Sequence, residues 1–280
     1  MKDIVITGAS RGIGRALALA TAARQADAAR LVLVARGADA LDEVAREVTA
    51  RGGVATTVVG DLGTLAGASA LADRLLATVD APVTLVHNAG LWPSKRQLTS
   101  DGFEASYAVN FAGPVVLQER LLAAGAVDRM MVVGAGLMVK GRFDPDRTPV
   151  GADFSRIRTY CDTKLAFALA TRELAPRYPD VDIVCLHPGV VRTDLGTARG
   201  PLWPVIWLAK RFFERPEVCG ERLARILAQD RWSDPGEALW MFEEEAKPWP
   251  EVTADPVARR AVASLVDQLA GRAASATVTG

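Results

Sequence analysis

The chain has almost no histidine, little cysteine and no excess of either charge. Among 280 residues there are two histidines and three cysteines, and 33 basic residues balance 33 acidic ones. Balanced charge gives no field that would attract nucleic acid, so we expect no nucleic-acid partner. Zinc sites need several clustered ligands, which two isolated histidines do not supply. An odd number of cysteines without a C-x-x-C pair disfavours a disulfide framework and favours a reducing, cytoplasmic location.

Long hydrophobic runs are also missing. The most apolar late segment, residues 202–213, is interrupted by Pro204, Lys210 and Arg211, whereas a membrane-spanning helix needs about 20 apolar residues. The first strand-like run begins at Asp3, so we expect no signal peptide and no stable membrane insertion.

Short β-branched runs alternate with longer helical runs rich in alanine and leucine. Continuous apolar strands of this kind are typical of parallel sheets covered on both faces. The pattern predicts a single-domain α/β Rossmann fold, a doubly wound and mainly parallel seven-stranded sheet with helices on both faces. We expect one domain over residues 1–272 and a flexible tail over 273–280. The predicted strands are 3–7, 31–35, 54–59, 83–87, 129–133, 181–186 and 240–242, and the clearest helices are 13–26, 38–50 and 65–78.

A glycine-rich turn follows the first predicted strand. Glycine allows the dihedral angles of a sharp turn and removes the Cβ that would keep a phosphate from the backbone. The helix that follows offers free N–H groups and the positive end of its dipole. The turn therefore predicts a dinucleotide site. It contains Thr7, Gly8, Ser10, Arg11, Gly12, Ile13 and Gly14.

Tyr160 and Lys164 are four residues apart on one predicted helix, and hence on the same face. Reduction of a carbonyl group needs a proton donor beside the oxygen. A phenol can fill this role if a nearby ammonium group lowers its pKa. Taken alone, this spacing is common on amphipathic helices and carries little weight.

In their order and spacing these motifs resemble those of the short-chain dehydrogenase/reductase family. Residues 7–14 match T-G-x-x-x-G-x-G, and residues 160–164 match Y-x-x-x-K. His87 stands where the family has the first Asn of N-N-A-G. Residues 160–174 and 187–195 are similar to the retinol-dehydrogenase-like and WW-domain-oxidoreductase-like branch. The other matching positions are Asp61 and Leu62 after the third strand, Asn88, Ala89 and Gly90 after the fourth, the helical Asn110, and Pro188, Gly189, Val191 and Thr193 after the sixth.

The resemblance implies a role for each matching residue. Tyr160 would act as the acid or base, Lys164 would also hold the cofactor ribose, and the Asn110 backbone would carry a water toward it. The residues of the glycine turn and those after the third, fourth and sixth strands would contact the cofactor. Arg36 ends the second strand where an acidic residue would select NAD, so Arg11 and Arg36 favour NADP(H). The alternative is that Arg36 is an ordinary surface residue.

Ala135 occupies the position where the family has its catalytic serine. Loss of one such hydrogen-bond donor typically costs about 10²–10³ in rate. Three hypotheses follow. The protein is an oxidoreductase for a hydrophobic carbonyl compound and its alcohol, with Thr148, Ser155, Thr159 or a hydroxyl group of the substrate itself as the substitute donor. Alternatively it is a non-redox enzyme for dehydration, cyclisation or isomerisation, or a silent NADP(H)-binding protein.

The segment after the sixth strand is rich in tryptophan. By resemblance, residues 194–230 form a lid in which Trp203 and Trp207, together with Ala135, contact the substrate. Aromatic lining suits a small hydrophobic substrate better than a sugar. The alternatives are a helix that caps the core and a contact in a dimer. The resemblance leaves a homodimer or homotetramer open.

Overall fold

Strands and helices alternate along the chain from the first residues. The computed structural model describes residues 1–25, 28–192 and 213–278. The strands are β1 (Lys2–Thr7), β2 (Ala29–Ala35), β3 (Val54–Val59), β4 (Val83–His87), β5 (Val127–Val133), β6 (Asp182–His187), β7 (Ala238–Phe242) and β8 (Glu245–Lys247). The α-helices are α1 (Gly12–Gln25), α2 (Ala38–Thr49), α3 (Leu65–Leu76), the single turn α4 (Ala105–Tyr107), α5 (Gly113–Ala123), α6 (Arg156–Arg177), α7 (Pro216–Leu227) and α8 (Pro256–Val278).

The strands form one sheet in the order β3-β2-β1-β4-β5-β6-β7-β8. All neighbours from β3 to β7 are parallel, and among the described strands only β8 is antiparallel to its neighbour. This confirms the doubly wound α/β fold. The eighth strand is a correction to the predicted seven. Residues 245–247 are all exposed at the sheet edge, so their sequence lacks the apolar pattern of a buried strand.

Both faces of the sheet are covered, as the continuous apolar strands predicted. Val5 packs into a core on the side of α3, α5 and α6, while Ile4 and Ile6 pack into a second core on the side of α1, α2 and α7. Successive strand residues point to opposite faces, so a strand buried on both sides has no polar alternation. The last helix, α8, packs on α3, α5 and α6. Because α8 runs to Val278, residues 273–278 of the predicted tail are helical, and the domain boundary at 272 stays a prediction.

The sheet reverses its strand order between β1 and β4. From β1 the chain first builds β2 and β3 on one side and then crosses to β4 on the other. The loops that follow β1 and β4 therefore diverge and leave a crevice at the carboxyl ends of the strands. The segments that carry the predicted motifs follow β1, β4, β5 and β6 at this edge.

Candidate active site

One large cavity of about 1130 Å³ opens at the point where the strand order reverses. Ligand pockets commonly measure about 300–1,000 Å³, so a dinucleotide and a substrate can share this space. Gly14 and Asn110 do not line it, and Thr193, Trp203 and Trp207 lie outside the described residues. The predicted residues that line the cavity are Thr7, Gly8, Ser10, Arg11, Gly12, Ile13, Arg36, Asp61, Leu62, Asn88, Ala89, Gly90, Ala135, Tyr160, Lys164, Pro188, Gly189 and Val191.

The turn after β1 requires glycine at two positions for different reasons. Gly8 has a φ of +68°, and a Cβ there would lie 2.9 Å from the Cα of Ala89. A Cβ on Gly14 would lie 2.4 Å from both the Gly8 carbonyl oxygen and Asn88 Nδ2. Gly14 thus lies behind the cavity wall, where it allows α1 to pack closely against the turn.

Hydrogen bonds between Thr7 and Asn88 join the ends of β1 and β4. The Thr7 hydroxyl accepts from the backbone N–H groups of Asn88 and Ala89 at 3.0 and 3.1 Å, and it donates to the Val86 carbonyl at 3.1 Å. In return, Asn88 Nδ2 donates to the Thr7 carbonyl at 2.9 Å. The backbone around the glycine turn is therefore fixed from both strands.

The shape of this wall fits a nicotinamide dinucleotide. The N-terminus of α1 at Gly12 and Ile13 borders the cavity, where its free N–H groups suit a phosphate. A Cβ on Gly90 would lie 3.6 Å from Asn110 Oδ1 and 3.9 Å from Lys164 Nζ. Glycine there keeps open the space in front of the lysine.

Two arginines border the end of the cavity near β2. Arg11 and Arg36 both line it, together with Val34 and Ala35 at the strand end. In the described part of the chain neither arginine forms a salt bridge. Both guanidinium groups are thus available to a ligand phosphate.

Lys164 is buried beneath the end of β5. Its Nζ donates a hydrogen bond to the Val133 carbonyl at 3.0 Å, two residues before Ala135. Burial lowers the pKa of Lys164 to about 8. The ammonium group can therefore lose or regain a proton close to neutral pH.

Asn110 lies behind the wall in a π-helical turn, residues 108–112, between α4 and α5. Its side chain bonds both backbone groups of Leu91: Oδ1 accepts from the N–H at 2.7 Å, and Nδ2 donates to the carbonyl at 2.9 Å. Nδ2 also donates to Thr163 Oγ1 on α6 at 3.1 Å. Asn110 thus connects the segment after β4 to the helix that carries Tyr160 and Lys164.

Tyr160 is almost fully buried, and its ring lies against an aromatic residue that sequence reasoning missed. The Trp92 ring stacks on it with centroids 4.5 Å apart and planes 15° apart. Trp92 is itself held by a hydrogen bond from Nε1 to the Arg156 carbonyl at 2.7 Å. The sequence feature that could have pointed to Trp92 is its position, two residues after the N-A-G motif.

Burial raises the pKa of Tyr160, opposite to the lowering expected from Lys164. The reason is that the lysine donates to the Val133 carbonyl, while the phenol lies in an apolar wall. Without a ligand, the tyrosine therefore holds its proton at neutral pH.

Residues 2–141 match the sequence profile of the short chain dehydrogenase family. A protein of Streptomyces sp. (strain C5), with the provisional name daunorubicin C-13 ketoreductase DnrU, is 36% identical over 199 residues, which cover 70% of this chain and 68% of that protein. The chain belongs to the short-chain dehydrogenase/reductase family.

Two further comparisons refine this assignment. Human retinol dehydrogenase 13 is 28% identical over 278 residues, 92% of this chain and 82% of its own length, which confirms a retinol-dehydrogenase-like branch. The alcohol dehydrogenase of the archaeon Thermococcus sibiricus, solved with 5-hydroxy-NADP, superposes with a TM-score of 0.65 at 25% identity, covering 89% of this chain and 100% of that one. In the described residues no helix combines the length and the apolar character needed to cross a bilayer.

Ala135, which the resemblance aligned with the family serine, lines the cavity two residues after the end of β5. Of the three substitute donors that the sequence offered, only Ser155 lines the same cavity. Thr148 and Thr159 border a separate cavity of about 360 Å³. Their hydroxyls accept from the backbone N–H groups of Asp144 and Ser155. These two threonines therefore do not face the reacting groups.

Proposed function

We propose that this short-chain dehydrogenase/reductase interconverts a hydrophobic carbonyl compound and its alcohol with NADP(H). The observation that carries the proposal is the position of Tyr160 and Lys164 in the wall of the cavity that also contains the glycine turn. An oxidoreductase needs a proton donor and a dinucleotide site within reach of one substrate. This cavity offers both.

In reduction, Tyr160 gives its phenolic proton to the substrate oxygen as the carbonyl π bond opens. When bound, the nicotinamide supplies the hydride that adds to the carbonyl carbon. Since burial raises the pKa of Tyr160, the free protein presents this residue as an acid at neutral pH, the form that reduction requires. In alcohol oxidation the phenolate would take the proton back.

Lys164 and Asn110 support this proton transfer. A lysine with a pKa of about 8 exchanges its proton readily near neutral pH, so it can restore the proton that Tyr160 has lost. Asn110 fixes the segment after β4 against α6 through Leu91 and Thr163. We assign Asn110 the positioning of both walls around the reacting groups.

The choice of NADP(H) over NAD(H) rests on Arg11 and Arg36. Both line the cavity next to the end of β2. Two guanidinium groups favour a ribose that carries a 2′-phosphate, because charge-assisted hydrogen bonds to phosphate are about twice as strong as neutral ones. The Thermococcus sibiricus relative, solved with an NADP derivative, supports the same choice.

A hydrophobic substrate agrees with the mouth of the cavity. Leu137, Ile157 and Val190 line it and are exposed at its rim. We assign Trp203 and Trp207, in the lid over residues 194–230, to the same substrate. One relative carries a name that refers to retinol, and another carries a name that refers to a ketone of daunorubicin.

The proposal is tested by titrating the protein with NADPH and NADH while following the fluorescence of each cofactor. NADPH consumption is then measured with a panel of aliphatic and aromatic aldehydes and ketones. We expect tighter binding of NADPH than NADH and turnover of several apolar carbonyls. Binding without any turnover would overturn the proposed reduction in favour of a non-redox enzyme or a silent NADP(H)-binding protein, and absence of binding would overturn the cofactor assignment.

A further inference from the structure

His187 is the last residue of β6 and lies beside the position of the missing serine. Ile183 and Cys185 of the same strand pack into the core on the α6 side, and strand residues two apart share a face. His187 therefore faces the side of the sheet that carries Tyr160 and Lys164. The parallel pairing of Val133 with Leu186 brings the histidine level with the chain that leads to Ala135.

Two contacts hold the imidazole in place. The backbone N–H of Gly136 donates a hydrogen bond to His187 Nδ1 at 3.0 Å. The ring also makes an edge contact with Phe242, with centroids 4.7 Å apart. A Cβ on Gly136 would lie 3.2 Å from the ring, so the glycine allows this close approach.

The hydrogen bond from Gly136 fixes the tautomer of the ring. Because Nδ1 accepts a hydrogen bond from a backbone N–H, it carries no proton, and the proton of the neutral ring lies on Nε2. Burial lowers the pKa of His187, and the charge of Arg222 lowers it further. The ring is therefore neutral at pH 7 and presents one N–H donor.

This donor has no partner in the described part of the chain, and the ring lines the cavity that contains Ala135 and Tyr160. An N–H group without an internal partner, on a ring that lines a ligand cavity, is suited to a ligand oxygen. The His187 side chain thus offers the hydrogen-bond donor that Ala135 lacks.

We propose that His187 is a catalytic residue whose Nε2–H donates a hydrogen bond to the substrate carbonyl oxygen, in the role that the family gives to serine at position 135. The inference rests on the proposed carbonyl reduction. It assigns the second donor to β6, while Tyr160 on α6 remains the proton donor. Ser155, at the N-cap of α6 and on the same cavity, is the competing donor.

The kinetic test is a double-mutant cycle between the two positions. We expect His187→Phe to lower kcat/KM for a hydrophobic ketone about 100-fold, as loss of one such donor does elsewhere. In an Ala135→Ser background the same change should cost less than about tenfold, because the serine supplies a donor. Equal losses in both backgrounds would overturn the proposal. So would a larger loss in Ser155→Ala than in His187→Phe.

A second measurement needs no turnover. With only two histidines in the chain, long-range ¹H–¹⁵N spectra resolve the tautomer of each ring. We expect the Nε2–H tautomer for His187 in the wild-type protein. We also expect its Nε2 resonances to shift when N-cyclohexylformamide, an unreducible carbonyl, is added with NADPH, while those of His87 stay unchanged.

The two measurements separate the inference from the function on which it rests. If no carbonyl is reduced, the proposed function fails, and the response of His187 to the amide still decides whether this ring meets a carbonyl oxygen. An Nδ1–H tautomer, or an unshifted Nε2 resonance in the presence of bound amide, would overturn the inference even in an active enzyme. The amount of bound amide follows from its effect on cofactor fluorescence.

Discussion

The two ends of the cavity are built in different ways. At the cofactor end, backbone atoms make the wall, and the hydrogen bonds of Thr7 and Asn88 together with close glycine contacts fix its shape. At the reacting end, the wall depends on a few side chains, among them Tyr160, Ala135 and His187. Gly8 and Gly14 at the cofactor end leave no room for a Cβ, whereas the proposed second donor at the reacting end lies on β6 and not after β5.

The largest effect should come from the reacting end. In Tyr160→Phe we expect the rate of carbonyl reduction to fall about 10³-fold, because the substrate oxygen loses its acid. The affinity for NADPH, measured by its fluorescence, should stay within about threefold, because the substitution leaves unchanged the backbone N–H groups of α1 that we propose to bind the phosphates. A Tyr160→Phe variant with wild-type turnover would remove this tyrosine from the mechanism.

The cofactor end should be sensitive to a single methyl group. In Gly14→Ala the new Cβ would meet Gly8 and Asn88 at 2.4 Å, and we expect a loss of about 3 kcal/mol in the free energy of unfolding. Gly37→Ala is the control, since nothing lies within 4 Å of a Cβ there, and its unfolding free energy should change by about 0.5 kcal/mol. Urea unfolding measures both. Equal stability of the two variants would contradict the close packing of α1 on the turn.

Charge reversal at Arg36 tests which side chain at the cofactor end selects NADPH over NADH. We expect Arg36→Asp to raise the Kd for NADPH about 100-fold, because a phosphate loses a charge-assisted hydrogen bond and meets a carboxylate. The Kd for NADH should change far less. Arg46→Asp, an exposed position on α2 that does not line the cavity, controls for net charge. Equal weakening of both cofactors in Arg36→Asp would show that this residue does not select between them.

His87 is the last residue of β4 and is buried behind the cavity. Burial lowers its pKa to about 3, and neither ring nitrogen has a hydrogen-bond partner among the described residues. The unfolded chain binds a proton near pH 6.5, so the folded state loses stability as the pH falls from 6.5 toward 3. Between pH 7 and 5 we expect the wild type to lose about 2 kcal/mol more than His87→Leu. Parallel acid-unfolding curves for the two proteins would contradict this burial of a neutral histidine.

The glycine positions of the turn after β1 have a physical signature in the sequence. The positive φ of Gly8 and the close contacts of Gly14 restrict those positions to glycine, so their spacing is visible in the chain itself. The parallel sheet was predictable in the same way, because strands buried on both faces lack polar alternation. The exposed strand β8 has no such signature, and it was missed.

The reacting end was only partly predictable, because its properties arise from contacts between distant segments. The stacking of Trp92 on Tyr160 joins the loop after β4 to α6. The raised pKa of Tyr160 follows from its burial there. Neither the stacking nor the raised pKa can be predicted from the spacing of residues along the chain. The tautomer of His187 likewise depends on a backbone N–H 51 positions away. Thr148 and Thr159, two of the predicted substitute donors, illustrate the same limit. They are close to Tyr160 in sequence, but they border another cavity.

The most direct test of the account follows the hydride itself. The protein is incubated with NADPH that carries deuterium at both C4 positions of the dihydronicotinamide and with each apolar ketone of the panel, and the alcohol is analysed by mass spectrometry. We predict one deuterium on the carbinol carbon of the product, formed by the wild type and almost absent with Tyr160→Phe. NADPH that binds tightly while no ketone yields a labelled alcohol would contradict the central claim that this cavity performs carbonyl reduction.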